Sequence, residues 1–239
     1  MFYFRTMELT SVIYEKRGNA AHITLNRPDV FNAFDETQSY DLQAALKEAN
    51  KDAEVRVVVL TGAGKAFCSG QDLKAIAGSK NRSLSDSLYK RYNPIIKAMR
   101  EMPKPIIGRI NGVAAGAGAS LALACDLIVA ARNSVFVMAY SNMALSPDGG
   151  GTWSLTRSLP RQLATEVLMC GDHISAERLC TLGVVNRLSE PGQAMSLALA
   201  LADNLNDRAP NTLTSIKELI SEADGSNLNQ QLARERDHF

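Results

Sequence analysis

An α/β fold built on a parallel or mixed sheet is predicted by three features of this 239-residue sequence. Short apolar runs of strand character alternate with longer segments of helical periodicity through the first two thirds of the chain. Twice, after Leu60 and after Ile110, a strand-like run leads into a glycine-rich loop and then a helical segment. From Thr152 onward the pattern is mostly helical, which predicts a cap or an oligomer interface rather than more sheet. The expected organisation is a core over residues 1–190 followed by a helical C-terminal region over residues 191–239.

Taken in order, residues 11–16 and 21–25 read as a hairpin turned at Arg17-Gly18-Asn19. It enters a loop at Asn26-Arg27-Pro28 that carries Asn32, Ala33 and Phe34. Over residues 36–50, Tyr40, Leu42, Ala45, Leu46 and Ala49 recur mostly at helical spacing. Residues 55–60 then form a continuous run rich in β-branched side chains, closed by Thr61-Gly62, which marks a buried strand. A loop over residues 62–73 leads to a helix over residues 85–102, with Leu88, Tyr92, Ile95, Ile96 and Met99 on its apolar face and Pro103 as its stop. Residues 105–110 are strand-like, residues 117–124 a short buried helix, and residues 127–130 and 135–137 strands.

Composition narrows the partners. With 26 basic and 25 acidic side chains, a net charge of +1 gives no general pull toward nucleic acid or an anionic membrane, so a charged ligand has to be held locally. The longest nearly apolar run, residues 113–125, is interrupted by glycines and falls short of the roughly 18 residues that suggest a membrane span. The first six residues lack the apolar stretch and cleavage site of a secretory signal, and a cytoplasmic protein is expected. Cys68, Cys125, Cys170 and Cys180 lie far apart without CxxC spacing or a histidine cluster, so they read as reduced, mostly buried thiols rather than zinc ligands or a disulfide framework.

Asp148 is the only carboxylate between Asp126 and Glu166, and it stands in the turn Ser146-Pro147-Asp148-Gly149-Gly150-Gly151. Pro-Asp-Gly is also a common turn, and Asp a common helix cap, so the tripeptide alone fits either a cap or a base. The stretch Asn111-Gly112-Val113-Ala114-Ala115-Gly116-Ala117-Gly118 offers free backbone N–H groups but no acid. Helix N-termini after such loops attract anionic oxygens, so the two glycine loops together predict one anion hole beside one base.

Other motifs fail their tests. Gly62-Ala63-Gly64-Lys65 lacks phosphate-loop spacing, and Gly116-x-Gly118 lacks the third glycine and the later acid of a dinucleotide fingerprint. Gly118-Ala119-Ser120-Leu121-Ala122 loosely resembles a hydrolase nucleophile elbow, but only His173 and His238 follow it as partners; the alternative is a small residue packed where a larger one clashes. The histidines His22, His173 and His238 are scattered. Lys74, Lys80, Arg82, Lys90 and Arg91 form a basic run that reads as a solvated face, with ligand phosphates as the functional alternative.

Several segments together resemble the crotonase, or enoyl-CoA hydratase/isomerase, superfamily. They are Leu25-Asn26-Arg27-Pro28 with Asn32-Ala33-Phe34, Leu60-Thr61-Gly62, Ala66-Phe67-Cys68-Ser69-Gly70-Gln71-Asp72-Leu73, Asn111-Gly112, Ala124-Cys125-Asp126, Pro147-Asp148-Gly149-Gly150-Gly151-Thr152 and Leu182-Gly183-Val184-Val185. The resemblance implies a ββα spiral core with a helical region that builds homotrimers or dimers of trimers. It also implies an acyl-CoA thioester as substrate, with coenzyme A entering as part of it and no metal or redox cofactor. By the same likeness Ser69 and Ala117 supply the N–H groups that hold the thioester oxygen as an enolate. Ala33, Ser69, Gly70, Gln71, Asp72, Leu73, Gly116 and Tyr140 form the substrate contact surface.

The departures from the family pattern carry as much information. Hydratases of the family use two glutamates to activate and protonate water, and those positions hold Ser120 and Tyr140 here. Isomerisation needs only one base, which removes a proton from C2 of a 3-enoyl thioester and returns it at C4. Asp148 is the expected base, with apolar surroundings to raise its pKa. Segments such as Tyr92-Asn93-Pro94 and Phe136-Val137-Met138-Ala139-Tyr140 are most similar to the family branch that isomerises ring-epoxide phenylacetyl-CoA to an oxepin and shifts Δ3 double bonds to Δ2. A hydratase, a weakly active acyl-CoA-binding protein and a Ser120 hydrolase are the alternatives. Met138, Met143 and Trp153 are candidate acyl-pocket residues, and by the same likeness the chain is expected to stop short of the final helices with which family members close that pocket.

Overall fold

The computed structural model describes Met7 and residues 9–77 and 84–239. Lys80 and Arg82 of the basic run lie outside the described residues. The hairpin forms as β1 (Val12–Arg17) and β2 (Ala20–Leu25). Helix α1 (Glu36–Lys51) starts where the Asp35 carboxylate accepts the Gln38 N–H at 2.8 Å, and it buries Leu42, Ala45, Leu46 and Ala49 at spacings of three and four. Tyr40, counted in that stripe, faces outward.

Strand β3 (Val57–Gly62) pairs parallel to β2 and is followed by β4 (Ala66–Cys68) and a short helix, α2 (Leu73–Ala77). Next come α3 (Leu84–Ser87), a π turn over Leu88–Tyr92, and α4 (Asn93–Glu101) with Ile95 and Met99 buried. Strands β5 (Ile106–Ile110) and β6 (Val113–Ala115) then lead into α5 (Ala117–Leu123), every residue of which is buried. Strands β7 (Leu127–Ala131) and β8 (Val135–Val137) precede α6 (Gly151–Ser158) and α7 (Arg161–Cys170). The chain continues through β9 (His173–Ser175), α8 (Ala176–Thr181) and β10 (Arg187–Ser189) to α9 (Ala194–Asn206), α10 (Pro210–Ala223) and α11 (Leu228–His238).

Two sheets result, a six-stranded one in the order β1-β2-β3-β5-β7-β10 and a four-stranded one in the order β4-β6-β8-β9. Among the described residues only the β1–β2 and β8–β9 pairs are antiparallel. The predicted mixed α/β class holds, with four strands added. These are β4, β6, β9 and β10, each three residues long. A three-residue strand is too short to show a period, which is why β4 read as loop and β9 and β10 as part of a helical tail.

Val58 and Leu60 face the main core while Val57 and Val59 face α9, which brings Ala194, Ala198, Leu201 and Ala202 against them. The helical region beyond residue 190 therefore begins as a layer on the sheet. Helices α10 and α11 bury no residue and leave Ile216, Ile220, Leu228 and Leu232 exposed. Lys217 ties α10 down, its Nζ donating to Asp126 Oδ2 at 2.7 Å and to the Met99 carbonyl at 3.0 Å. Among the described residues no helix is long and apolar enough to cross a membrane.

Candidate active site

Asn32 fixes the first wall. Its backbone is left-handed (φ 57°), and its fully buried side chain donates to the carbonyls of Ala63, Ala66 and Phe67 while accepting the Arg27 N–H. One side chain thus welds the residue 27–34 loop to the loop between β3 and β4. Gly62 allows this approach, since a Cβ there would stand 2.2 Å from the Phe67 carbonyl oxygen.

Beyond β4 the chain makes a parallel bridge between Phe34 and Gln71. Phe34 N–H donates to the Gly70 carbonyl at 2.7 Å and Asp72 N–H to the Phe34 carbonyl at 2.9 Å. A parallel bridge uses the groups flanking Gln71, so the N–H of Gln71 itself faces away from residue 34. It has no acceptor among the described residues. The Ser69 N–H, expected to hold the thioester oxygen, instead donates to the Phe31 carbonyl at 3.0 Å. That expectation is corrected, and so is the idea of two helix N-termini, because β4 and the bridge intervene before the five-residue α2.

Ala117 is the first residue of α5, and its N–H is one of the donors that a helix start leaves without an intrahelical acceptor. Gly116 turns the chain into it with φ 51°, its own N–H bonded to the Val137 carbonyl. The two walls meet here. A Cβ on Gly70 (φ 90°) would lie 2.7 Å from the Ala115 carbonyl oxygen and 3.4 Å from the Ala117 nitrogen, and one on Gly118 would lie 2.2 Å from the Cys68 carbonyl oxygen.

Arg27 braces the Gln71 side of the site, donating to Asp72 Oδ2 at 3.0 Å and standing 3.2 Å from Asp35 Oδ2. Burial pushes the Asp72 carboxyl up, but the Ala75 N–H and the Arg27 guanidinium outweigh it and hold it below the ordinary aspartate range. Ala33 is buried beside this network, its carbonyl accepting from Arg27, while Leu73 is exposed.

Asp148 lies on the other side of Ala117, in the turn before α6. It caps nothing: α6 starts at Gly151 after Gly150, without a side-chain cap. Among the described residues its carboxylate has one hydrogen-bond partner, the Tyr140 hydroxyl at 2.7 Å on Oδ1. Burial raises the Asp148 pKa above the ordinary value, and the Tyr140 hydrogen bond opposes it only in part. Burial and then the Asp148 charge push the Tyr140 phenol far up, so it stays protonated as a donor. Tyr140 therefore orients the Asp148 carboxylate.

Ser120 is fully buried, donates to the Asp148 carbonyl at 2.9 Å and lies 3.2 Å from the Tyr140 oxygen. Cβ atoms on Gly149 or Gly151 would meet its side chain at 2.9 and 2.7 Å. None of its partners is a histidine, so the nucleophile arrangement is not assembled; His22 is buried on β2, and His173 and His238 lie on β9 and α11.

Between the two walls sits a small apolar cavity lined by Phe34, Tyr92, Ile95, Ile96 and Leu121, with Ala117 and Gly149 completing it. Of the expected pocket residues, Met138 is buried beside Gly151, but Met143 and Trp153 are exposed, the latter between the guanidinium groups of Arg100 and Arg157. Tyr92, Ile95 and Ile96 were visible as an apolar helix face, though not as pocket wall. A larger hollow of about 260 Å³ lies under α10, lined by Arg100, Asp126, Leu213 and Lys217, away from Asp148 and Ala117.

In the basic run Lys74 and Lys90 are exposed, whereas Arg91 is buried with its guanidinium on the Ser87 hydroxyl. Cys68 and Cys125 are buried, with thiols pushed up to about 12 by burial, while Cys180 is half-buried and Cys170 exposed.

Comparison with known proteins agrees with this fold. A family model described as enoyl-CoA hydratase/isomerase matches residues 15–239. The chain is 38% identical over 219 residues to the 1,2-epoxyphenylacetyl-CoA isomerase of Escherichia coli K12, covering 90% of this chain and 84% of that protein. It is 39% identical over 179 residues to a probable enoyl-CoA hydratase of Rhodobacter capsulatus, covering 75% and 68%. A crystal structure of an enoyl-CoA hydratase from Polaromonas sp. JS666 superposes with a TM-score of 0.91 at 47% identity, over 96% of this chain and 90% of that one.

Proposed function

The chain belongs to the enoyl-CoA hydratase/isomerase family, and from that premise we propose that this enzyme shifts the double bond of an acyl-CoA from Δ3 to Δ2 with Asp148 as its single base. The observation that carries the reading is the state of Asp148. Its carboxylate is half-buried, held above the ordinary pKa value and partnered by a neutral phenol, and its chain neighbour Gly149 lines a small cavity whose wall includes Ala117. A base raised toward the working pH is matched to proton abstraction next to a thioester.

In the proposed step the thioester oxygen accepts the N–H groups of Gln71 and Ala117. Asp148 removes the C2 proton, the electron pair moves onto that oxygen as an enolate, and the same proton returns at C4 from the protonated carboxyl. Each N–H aimed at the developing charge contributes on the order of 3 kcal/mol to the transition state. One proton moves within the substrate and no electrons leave it, so the step requires no redox cofactor.

Ala33, Gly70, Gln71, Asp72 and Leu73 form the coenzyme A side of the proposed complex, with Gly116 beside the reacting carbonyl. Tyr140 acts through Asp148 rather than on the acyl group. Hydration is disfavoured because Ser120 is committed to the Asp148 carbonyl and Tyr140 to its carboxylate, leaving no second acid for water. The likeness to the Escherichia coli isomerase favours a second substrate for the same base, a ring-epoxide phenylacetyl-CoA rearranged to its oxepin. Assembly as a trimer or dimer of trimers, with the apolar face of α10 and α11 covered, completes the proposal.

The test follows double-bond position and water addition by mass spectrometry and absorbance with a 3-enoyl-CoA and, separately, a 2-enoyl-CoA. Conversion of the 3-enoyl thioester without hydration supports a one-base isomerase. Efficient hydration of the 2-enoyl thioester sinks it.

A further inference from the structure

Tyr92 closes the π turn, in which the Asn93 N–H reaches back to the Leu88 carbonyl. It is 3% exposed, and its hydroxyl is buried without a hydrogen-bond partner among the described residues. The ring packs edge-on against Phe34, with centroids 5.5 Å apart and planes at 62°. It lines the small cavity together with Ile95, Ile96, Leu121, Ala117 and Gly149. Every other side chain of that wall is apolar, so Tyr92 brings the only side-chain donor to it.

Burial pushes this phenol far above its ordinary pKa, opposed by the Arg91 charge and helped more weakly by that of Asp148. The group is therefore a protonated donor within electrostatic reach of the proposed base. A buried hydroxyl with no acceptor is a standing cost, and a phenylalanine would fill the same space without it. In the proposed complex the thioester oxygen takes two backbone N–H groups and Asp148 Oδ1 takes the Tyr140 hydroxyl, while Asp148 Oδ2 is kept for the substrate proton.

We propose that Tyr92 determines acyl specificity by donating its hydroxyl to an acceptor oxygen carried on the acyl chain, so that the site favours ether, epoxide or hydroxyl-bearing acyl groups over hydrocarbons of the same shape. The inference rests on an acyl thioester occupying this cavity, as in the proposed function. A site with a buried donor discriminates against the analogue lacking the oxygen because the donor is then left unpaired.

The experiment uses unreactive saturated thioesters, so it reads binding whether or not the protein isomerises anything. Dissociation constants of heptanoyl-CoA, 4-oxaheptanoyl-CoA and 5-oxaheptanoyl-CoA are measured by calorimetry on the full chain and on Tyr92→Phe. The expected result is that at least one ether binds the wild type as tightly as heptanoyl-CoA or more so, and that its preference over heptanoyl-CoA falls about tenfold in Tyr92→Phe. A preference unchanged within about twofold by the substitution overturns the role of the hydroxyl, as does a wild type that binds both ethers more weakly than heptanoyl-CoA. Failure of all three thioesters to bind sinks the acyl-CoA reading itself, and this inference with it.

Discussion

Asp72 and Asp148 flank the same pair of backbone loops, both are largely withdrawn from water, and their carboxyl groups are shifted in opposite directions. Asp72 meets the Arg27 guanidinium and the Ala75 N–H and is held below the ordinary range; Asp148 meets only a neutral phenol and is held above it. Burial disfavours the charged form in both places, so the partner decides the outcome. A carboxylate locked to a cation is an anchor, and one left with a weak donor keeps an appetite for protons. In the proposed reaction the two regions divide the labour of one site: the Asp72 side shapes the backbone of Gln71, and the Asp148 side supplies the chemistry.

The sharpest way to break this contrast is Asp148→Asn. The amide keeps the shape and can still accept from Tyr140, but it cannot take a proton from carbon. Turnover of a 3-enoyl-CoA is expected to fall about 10³-fold, as for the loss of a positioned general base. Retention of full turnover would move the base elsewhere and leave Asp148 as an unexplained buried charge.

Next in size is Arg27→Gln, aimed at the anchor. The guanidinium serves Asp72, Asp35 and the Ala33 carbonyl at once, so its loss leaves the Asp72 carboxylate short of its strongest partner. Hydrogen bonds to charged groups contribute about 1.5–3 kcal/mol, and a destabilisation of that order is expected in denaturant unfolding. Thioester KM should rise more than kcat falls, because the damage lies in the wall that positions substrate. A variant that lost kcat alone would erase the proposed division.

Tyr140→Phe is a milder probe of the Asp148 side. The phenol's hydrogen bond opposes the rise in the Asp148 pKa, so removing it should shift the acid limb of the rate profile to higher pH. Turnover should fall about tenfold as the carboxylate loses its one orienting contact. An acid limb that stayed in place would mean that Asp148 does not govern it.

Much of this arrangement was legible in the chain, and what was hidden had physical reasons. The apolar periodicity of α1, the β-branched run of β3 and the isolation of Asp148 among glycines are local signals, and they gave the layers and the candidate base. The N–H expected from Ser69 is committed to the Phe31 carbonyl, and the proposal takes Gln71, two residues on, in its place. Ser69 and Gln71 are both followed by unencumbered backbone, and only the bridge to Phe34 shows that one N–H is consumed by Phe31 while the other faces away. Arg91 looked like part of a solvated face because charge count says nothing about burial against Ser87. Tyr92 was visible as one more apolar position on a helix. That its hydroxyl has no partner among the described residues is a property of the packed wall and of no stretch of sequence.

The smallest expected effect tests the contrast most directly, because it compares signs. Above its raised pKa Asp148 is ionised in both the folded and unfolded chain, and its buried charge costs stability in full. As pH falls through that value the folded state takes up the proton and the cost is relieved, until it vanishes below the ordinary aspartate pKa, where both states are protonated. Asp148→Asn should therefore melt above the wild type at neutral pH and converge with it in acid. Asp72 runs the other way: its lowered pKa contributes stability above the ordinary value, lost as pH falls through that value toward the folded one. Asp72→Asn should melt below the wild type at neutral pH and also converge in acid. For a chain of this size each kcal/mol corresponds to about 2–4 °C, within reach of calorimetry at two pH values. Shifts of the same sign in the two variants would show that the partners, a guanidinium and a phenol, do not set these carboxylates apart.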